Sequence, residues 1–409
     1  NSAAHGRYRF VQSMIREVAY SRLTREERRI RHLRAAEYLD GLGEVELAGA
    51  VASHYMDAHN VTDDAASAEP LAVEASAALS DAADRAARLH SHEQALAMVE
   101  HALELSTDPA VQAGLRQRAA RSAGALARHE VAIQYARRSL EWYRANGDKD
   151  EVADAARQVA NVLSHAYRAP EAIRVLEPVV ETYSSLESAA SVAAAAELAR
   201  AYLMTLRDED AAAMSDRAIA PAERLGLTDT IVDTLITRGT ALGNLGRLHE
   251  AVSLLHGASR YAEERDLPLS EMRAANNLGH LLQYDDHVAA LEACRRGLEM
   301  ANRLGDVRFI GSFTWAVAAY LDRDGRFAEA QEMRDEVRER VELAPDSKVW
   351  YEMTDCMVAA ARGEASAIEL ARDAIERSSD TPNPQSAISL PIERSVLHFL
   401  AGEFDLAYR

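Results

Sequence analysis

An alanine recurs about every forty residues along most of this chain, and each copy follows a polar turn. The series runs Ala95, Ala132, Ala172, Ala211, Ala251, Ala290, Ala330, Ala367 and Ala407, with successive intervals of 37, 40, 39, 40, 39, 40, 37 and 40. A fixed period of this size marks a repeat architecture, in which one small unit buries its apolar face only against neighbouring copies of itself. That excludes a chain of two or three ordinary globular domains and predicts about nine units plus a remnant, from 409 residues.

Two further registers define the unit. Fifteen residues beyond the anchors lie Gly147, Gly226, Asp266, Gly305, Pro345 and Pro382, with Pro109 one short of the pattern and Glu187 breaking it. Gly and Pro end helices. About twelve residues before the anchors lie Ala83, Ala120, Ala160, Ala199, Gly239, Gly279 and Ala318. Small residues at both places let two helix backbones approach closely. Each unit therefore reads as helix A, a tight turn, helix B and a break, with helices of about fifteen residues, roughly 22 Å long.

Composition supports this reading and removes several function classes. Alanine makes up roughly a fifth of the chain, which favours helix over strand. There are two lysines, Lys149 and Lys348, among 46 basic residues. Neither lies in a G-x-x-x-x-G-K-[ST] loop, so the chain carries no phosphate-cradling P-loop. Two cysteines, Cys294 and Cys356, are too few for a disulfide framework and read as small buried hydrophobes. With no apolar run long enough for a membrane helix and no leader pattern, a cytoplasmic location is expected. The chain opens at Asn1 and stops at Arg409 inside a helical pattern, which predicts a piece of a longer protein.

The repeat grammar resembles the tetratricopeptide repeat. The resemblance is carried by Thr237-Arg-Gly-Thr-Ala-Leu-Gly-Asn-Leu-Gly-Arg-Leu-His-Glu-Ala251, by Asn277-Leu-Gly279-His and by Gly325-Arg-Phe-Ala-Glu-Ala330. The period near 40 exceeds the usual 34, as in the longer repeats of bacterial signalling regulators. The expected fold is all-α, an α-solenoid (right-handed superhelix) of tetratricopeptide-like helix pairs over residues 43–409. Residues 1–42 are expected to be the end of a winged-helix or linker module.

That assignment rests on the first sixty residues. Phe10, Ile15-Arg16-Glu17, Tyr20 and Leu23 stand in order, and Thr24 with Glu27 makes a capping box for a helix that ends near Gly41 or Gly43. Ala52-Ser53-His54-Tyr55 follows. This segment resembles the junction after the ATPase core in bacterial STAND-type signalling ATPases, where a winged-helix module leads through an Arg-rich helix into tetratricopeptide repeats. Large ATP-dependent LuxR-type transcription regulators and class III nucleotide (adenylate) cyclases are built this way. The resemblance implies a sensor and interaction arm of a signal-transduction ATPase, a regulatory region of a cyclase, or a plain assembly scaffold. The basic cluster around Arg28, Arg29 and Arg31 then reads as a docking surface for an upstream ATPase domain of the same chain.

Chemistry-bearing patterns are scarce. His-Glu pairs at His92, His129 and His249 never extend to H-E-x-x-H, and C-x-x-C and G-x-S-x-G are absent. Asp322-Arg-Asp324-Gly lacks the rest of a calcium loop. No catalytic residue, metal or cofactor is therefore expected, and a net charge of −19 makes direct nucleic-acid binding through the repeats a poor fit. What remains is a binding surface. In tetratricopeptide arrays helix A lines the concave groove. The residue after each small helix-A residue, with neighbours at −4 and +3, shares one face. The second to fourth repeats then offer Gln117, Arg121 and Gly124; Arg157, Asn161 and Ser164; and Ala196, Arg200 and Leu203. The fifth to seventh offer Ile236, Thr240 and Gly243; Asn276, His280 and Gln283; and Trp315, Ala319 and Asp322. From these, Arg121, Arg157, Asn161, Arg200, Asn276, His280 and Gln283 are the candidate contacts. Arginine forks suit carboxylate or phosphate, and amides suit a peptide backbone. The expected guest is a protein, an extended peptide or a small anionic ligand.

Overall fold

The computed structural model describes residues 13–183, 185–283, 285–340, 345–379 and 386–407. Among the described residues the chain is all-α, and it divides into two compact units, residues 1–162 and 163–409.

The first unit opens with α1 (Ser13–Ser21), α2 (Arg25–Asp40), a 3₁₀ turn at Val45–Leu47 and α3 (Ala48–Asn60). The capping box forms as expected. The Thr24 hydroxyl accepts from the Glu27 amide at 3.2 Å, and the Glu27 carboxylate accepts from the Thr24 amide at 2.8 Å. Gly41 closes α2. Phe10, the start of the junction motif, lies outside the described residues. Helix pairs follow as α4 (Ala65–Arg88) with α5 (His92–Leu105), and α6 (Pro109–Ala125) with α7 (His129–Asn146). The division between units falls within α8 (Lys149–His165).

The second unit continues with α9 (Ala169–Glu181), α10 (Ala189–Met204), α11 (Asp208–Leu225), α12 (Thr228–Asn244), α13 (Leu248–Glu264), α14 (Pro268–Leu282) and α15 (His287–Leu304). Then come α16 (Val307–Arg323), α17 (Phe327–Arg340), α18 (Pro345–Ala361), α19 (Ala365–Ser379), α20 (Ser386–Leu400) and α21 (Phe404–Ala407). Even-numbered helices from α4 onward are the A helices and odd-numbered ones the B helices.

The anchors do the packing that the period demands. Ala95, Ala132, Ala172, Ala211, Ala251, Ala290, Ala330 and Ala367 are all buried, and only the terminal Ala407 is not. A Cβ added at Gly239 would lie 3.4 Å from the Ala251 carbonyl oxygen and 3.1 Å from Leu255 Cγ. One at Gly279 would lie 2.4 Å from Cys294 Sγ. The small residue of helix A thus meets the small residue of helix B, which sets the close approach within each pair. Successive A helices also pack on each other, α4 on α6 in the first unit and α10, α12, α14, α16, α18 and α20 in turn in the second. A core cluster of the second unit runs from Val232 to Tyr351 and includes Leu255, Met272, Leu278 and Phe313.

The breaker register holds in most places. Gly226 and Gly305 are left-handed C-caps of α11 and α15, Gly147 caps α7, Pro109 starts α6 and Pro345 starts α18. Pro382 lies outside the described residues. The turn inside each pair carries a second periodic signal. A left-handed residue stands four or five positions before the anchor at His90, Ala127, Tyr167, Leu206, Gly246, Gly325, Gly363 and Gly402. Four of these are not glycine, so the turn conformation persists where the sequence lacks its usual marker.

Candidate functional site

The A helices carry the polar groups that reach from one repeat to the next. Several of their hydrogen bonds span close to one period and tie one A helix to its predecessor, as from α14 to α12 and from α16 to α14.

In the first unit, Arg118 pairs with Asp84 at 3.2 Å, and the Gln158 amide donates to the Gln117 carbonyl at 2.7 Å. Arg121 is exposed on α6 and has no ion-pair partner among the described residues. Arg157 is half-buried on α8 and pairs with Asp154, one turn earlier, at 2.7 Å. Asn161 is half-buried on the same helix.

The second unit holds the denser arrangement. On α10, Arg200 lies 3.9 Å from Glu197 and 3.5 Å from the Nε2 of His165, while the Ser164 hydroxyl donates to Glu197 at 3.3 Å. On α14, Arg273 donates to Asp233 on α12 at 3.0 Å and to the Thr237 hydroxyl at 2.6 Å. Ser270 donates to the same Asp233 oxygen at 3.0 Å. One turn along, Asn277 donates to Thr240 at 2.8 Å, and Ser312 of α16 donates to Asn276 at 3.0 Å. The Gln283 amide meets the His280 ring nitrogen at 3.2 Å and the His280 carbonyl at 2.9 Å.

Surrounding protein desolvates Arg273 and His280 on this face. Arg273 keeps 18% of its side chain accessible, yet surrounding protein pulls its guanidinium below the ordinary value, against the opposing pull of Asp233. The charges of Arg200 and Glu197, two repeats away, also act on it. His280 is exposed, yet desolvation by surrounding protein lowers its imidazole pKa. Arg273 remains charged, since guanidinium does not lose its proton in proteins.

The sequence-predicted residues therefore divide. Arg200 joins a cluster with Glu197 and His165, Asn276 joins Ser312, and His280 joins Gln283. Arg121 and Arg157 belong to the first unit and Arg200 to the second. Arg200 and Arg273 are matched by Glu197 and Asp233, so on this face of the second unit each arginine is paired with a carboxylate. Ile236 is fully buried and belongs to the core. Trp315 is partly buried, packs against the core and donates its indole N–H to Thr354 at 2.9 Å.

Sequence reasoning passed over Asp233, Thr237, Arg273 and Asn277. The polar face runs at −7, −3 and 0 from the reference position, giving Asp233, Thr237 and Thr240 on α12 and Arg273, Asn277 and His280 on α14. The step of −4 used for the sequence ladder points one residue off this face, and lands on Ile236 in the fifth repeat. Polarity at 233, 237 and 240 was the available signal.

The docking trio is largely engaged within the first unit. Arg28 donates to the carbonyls of Leu23 at 3.1 Å and Ser21 at 3.2 Å, and lies over the Tyr20 ring at 4.7 Å. Arg29 forks onto Glu26, at 2.8 Å through Nε. Arg31 is exposed.

No family model matches the chain, and no curated protein matches it. Among solved structures, it is similar to a Rap protein complexed with competence and sporulation factor, with 16% identity, TM-score 0.56, and coverage of 96% of this chain and 99% of that one. It is similar to the apo form of the quorum sensor NprR from B. thuringiensis, with 13% identity, TM-score 0.53, and coverage of 80% and 91%. A third neighbour is aspartyl phosphate phosphatase F from Bacillus subtilis, with 13% identity, TM-score 0.51, and coverage of 92% and 96%. At these identities the likeness is one of fold: a tetratricopeptide-like repeat array. No helix among the described residues is long and apolar enough to cross a membrane.

Proposed function

We propose that this chain is a non-enzymatic, peptide- or protein-binding repeat arm of a larger signalling protein, and that its guest lies along the A-helix face of the second unit. The observation that carries this reading is the partly accessible polar cluster of Arg200, Glu197, Asp233, Arg273, Asn276 and Asn277. Its donors and acceptors come from successive A helices, and a peptide backbone needs both kinds of group. Arg273 spends two of its five N–H donors on Asp233 and Thr237, which leaves capacity for an acidic group on the guest. A partly accessible ion pair exchanges partners at low cost.

The shared fold supports the reading from outside the chain. One neighbour is a complex with a signalling factor and another is a quorum sensor. The junction motif over residues 10–55 supports a finer version, in which residues 1–42 end a winged-helix module. The arm would then regulate a cytoplasmic STAND-type ATPase, of the LuxR-type transcription class or the cyclase class, with Arg31 and its neighbours facing the ATPase. Guest binding would have to favour one contact state over another to transmit a signal.

The test is selection of short peptides from a displayed random library against the full chain, followed by affinity measurement for the winners. Wild-type binding that falls at least tenfold in Arg273→Ala and Asn277→Ala, with helicity unchanged, supports the reading. Peptides that bind both variants as tightly as wild type place the guest elsewhere.

A further inference from the structure

Outside the polar A-helix face, α2 and α3 of the first unit bring together three metal-ligating side chains. His32 stands on α2, and His54 and Asp57 stand on α3. The Nδ1 atoms of His32 and His54 are 3.0 Å apart, and His32 Nδ1 lies 3.5 Å from Asp57 Oδ2. One ligand atom from each residue falls within 4.8 Å of the others. We propose that His32, His54 and Asp57 form a three-ligand zinc(II) site that clips α2 to α3.

The geometry fits the ion. Ligands about 2.0–2.1 Å from zinc in a tetrahedron stand about 3.3 Å from one another, and the two separations of 3.0 and 3.5 Å bracket that edge. His54 and Asp57 are three residues apart on one helix, so both project from one face. Asp57 keeps 48% of its side chain accessible, so its carboxylate is free to adjust and the ion has a way in. Two imidazoles and a carboxylate suit a borderline cation better than calcium or magnesium, which prefer oxygen alone.

The far side of the site is also arranged for a ligand. A metal-bound imidazole needs its other nitrogen fixed by an outer partner. The Tyr20 hydroxyl lies 2.8 Å from His32 Nε2, and the two rings stand edge to face at 5.6 Å. Arg28 lies over the Tyr20 ring and holds it in place. Burial lowers the His32 pKa, the His54 ring adds to that, and Asp57 opposes it. Three protein ligands leave the fourth position for water or for a group from another molecule.

Chelator-stripped full-length chain is titrated with Zn²⁺ in competition with a chromophoric chelator, and with Co²⁺ as a visible probe. One equivalent of Zn²⁺ should bind, and Co²⁺ should give the absorption bands of a tetrahedral N/O site. His54→Gln and Asp57→Asn should each weaken Zn²⁺ binding at least tenfold and remove the bands. Tyr20→Phe, acting through His32, should weaken it several-fold without removing it. Asp57 is accessible, so its variant keeps the fold, which far-UV dichroism checks. His256→Gln, at an exposed histidine of the second unit, serves as the control and should bind as wild type does. Absence of stoichiometric Zn²⁺ binding in the wild type, or binding unchanged in both ligand variants, overturns the proposal.

Discussion

Arg273 and Arg334 both lie in the second unit and both face carboxylates, yet they occupy opposite environments. Arg334, on α17, is wholly buried and sits 2.7 Å from Asp322 and 2.7 Å from Asp355, which are 11% and 28% accessible. Arg273, on α14, is 18% accessible beside an Asp233 that is 48% accessible. The first arrangement ties α16, α17 and α18 together around a wholly buried guanidinium. The second stands on a face where both partners are partly accessible. Identical chemistry serves the fold in one place and remains available for exchange in the other, and water access decides which.

The largest expected effect comes from breaking the buried cluster. Arg334→Ala should leave the buried Asp322 without its cation, and Asp355 with Arg338 alone, and cost about 3–5 kcal/mol in urea denaturation. Arg273→Ala should cost about 1 kcal/mol or less in the same experiment. Equal losses would erase the distinction between the two regions.

A smaller effect tests the frame that holds both arginines. Ala251 is fully buried against Gly239, so Ala251→Leu should overpack the α12–α13 contact and cost about 1–3 kcal/mol. An unchanged thermal midpoint would mean that the helix pairs are held by something other than the small-residue register.

The smallest effect concerns the turns. Leu206 takes a left-handed conformation where later repeats use glycine at Gly246 and Gly325. Leu206→Gly should stabilise the chain by up to about 1 kcal/mol, and Gly246→Ala should destabilise it by a similar amount. Opposite signs in thermal melts would show that tertiary contacts of Leu206 outweigh its backbone strain.

These contrasts also mark what the sequence discloses. The anchors at Ala132, Ala211 and Ala251, the partner residues Gly239 and Gly279, and the capping box at Thr24 are local signals of packing and hydrogen bonding. Each is legible in the sequence by itself. The polar face is half legible. Arg200, Asn276 and His280 follow from helical spacing, but a one-residue choice between steps of −3 and −4 separates Thr237 from the core residue Ile236. Spacing alone does not resolve that step, because both lie one turn from Thr240; the polarity of Thr237 against Ile236 does. Arg334 is invisible in the sequence for a different reason. An arginine among acids on an Arg-rich chain reads as solvated until packing shows that Asp322 and Asp355 come from other helices. The triad of His32, His54 and Asp57 stands between these cases. His54 and Asp57 share a face by spacing alone, but His32 joins them only because α2 packs on α3.

The central claim is that the polar A-helix face of the second unit is the binding surface. Its most direct test is isothermal titration of a library-selected peptide into the wild type, Arg273→Ala and Arg334→Met. The account predicts that Arg273→Ala loses binding at least tenfold with little change in thermal midpoint. It also predicts that Arg334→Met, at temperatures where it is folded, binds like the wild type. Binding lost in Arg334→Met but retained in Arg273→Ala would contradict it.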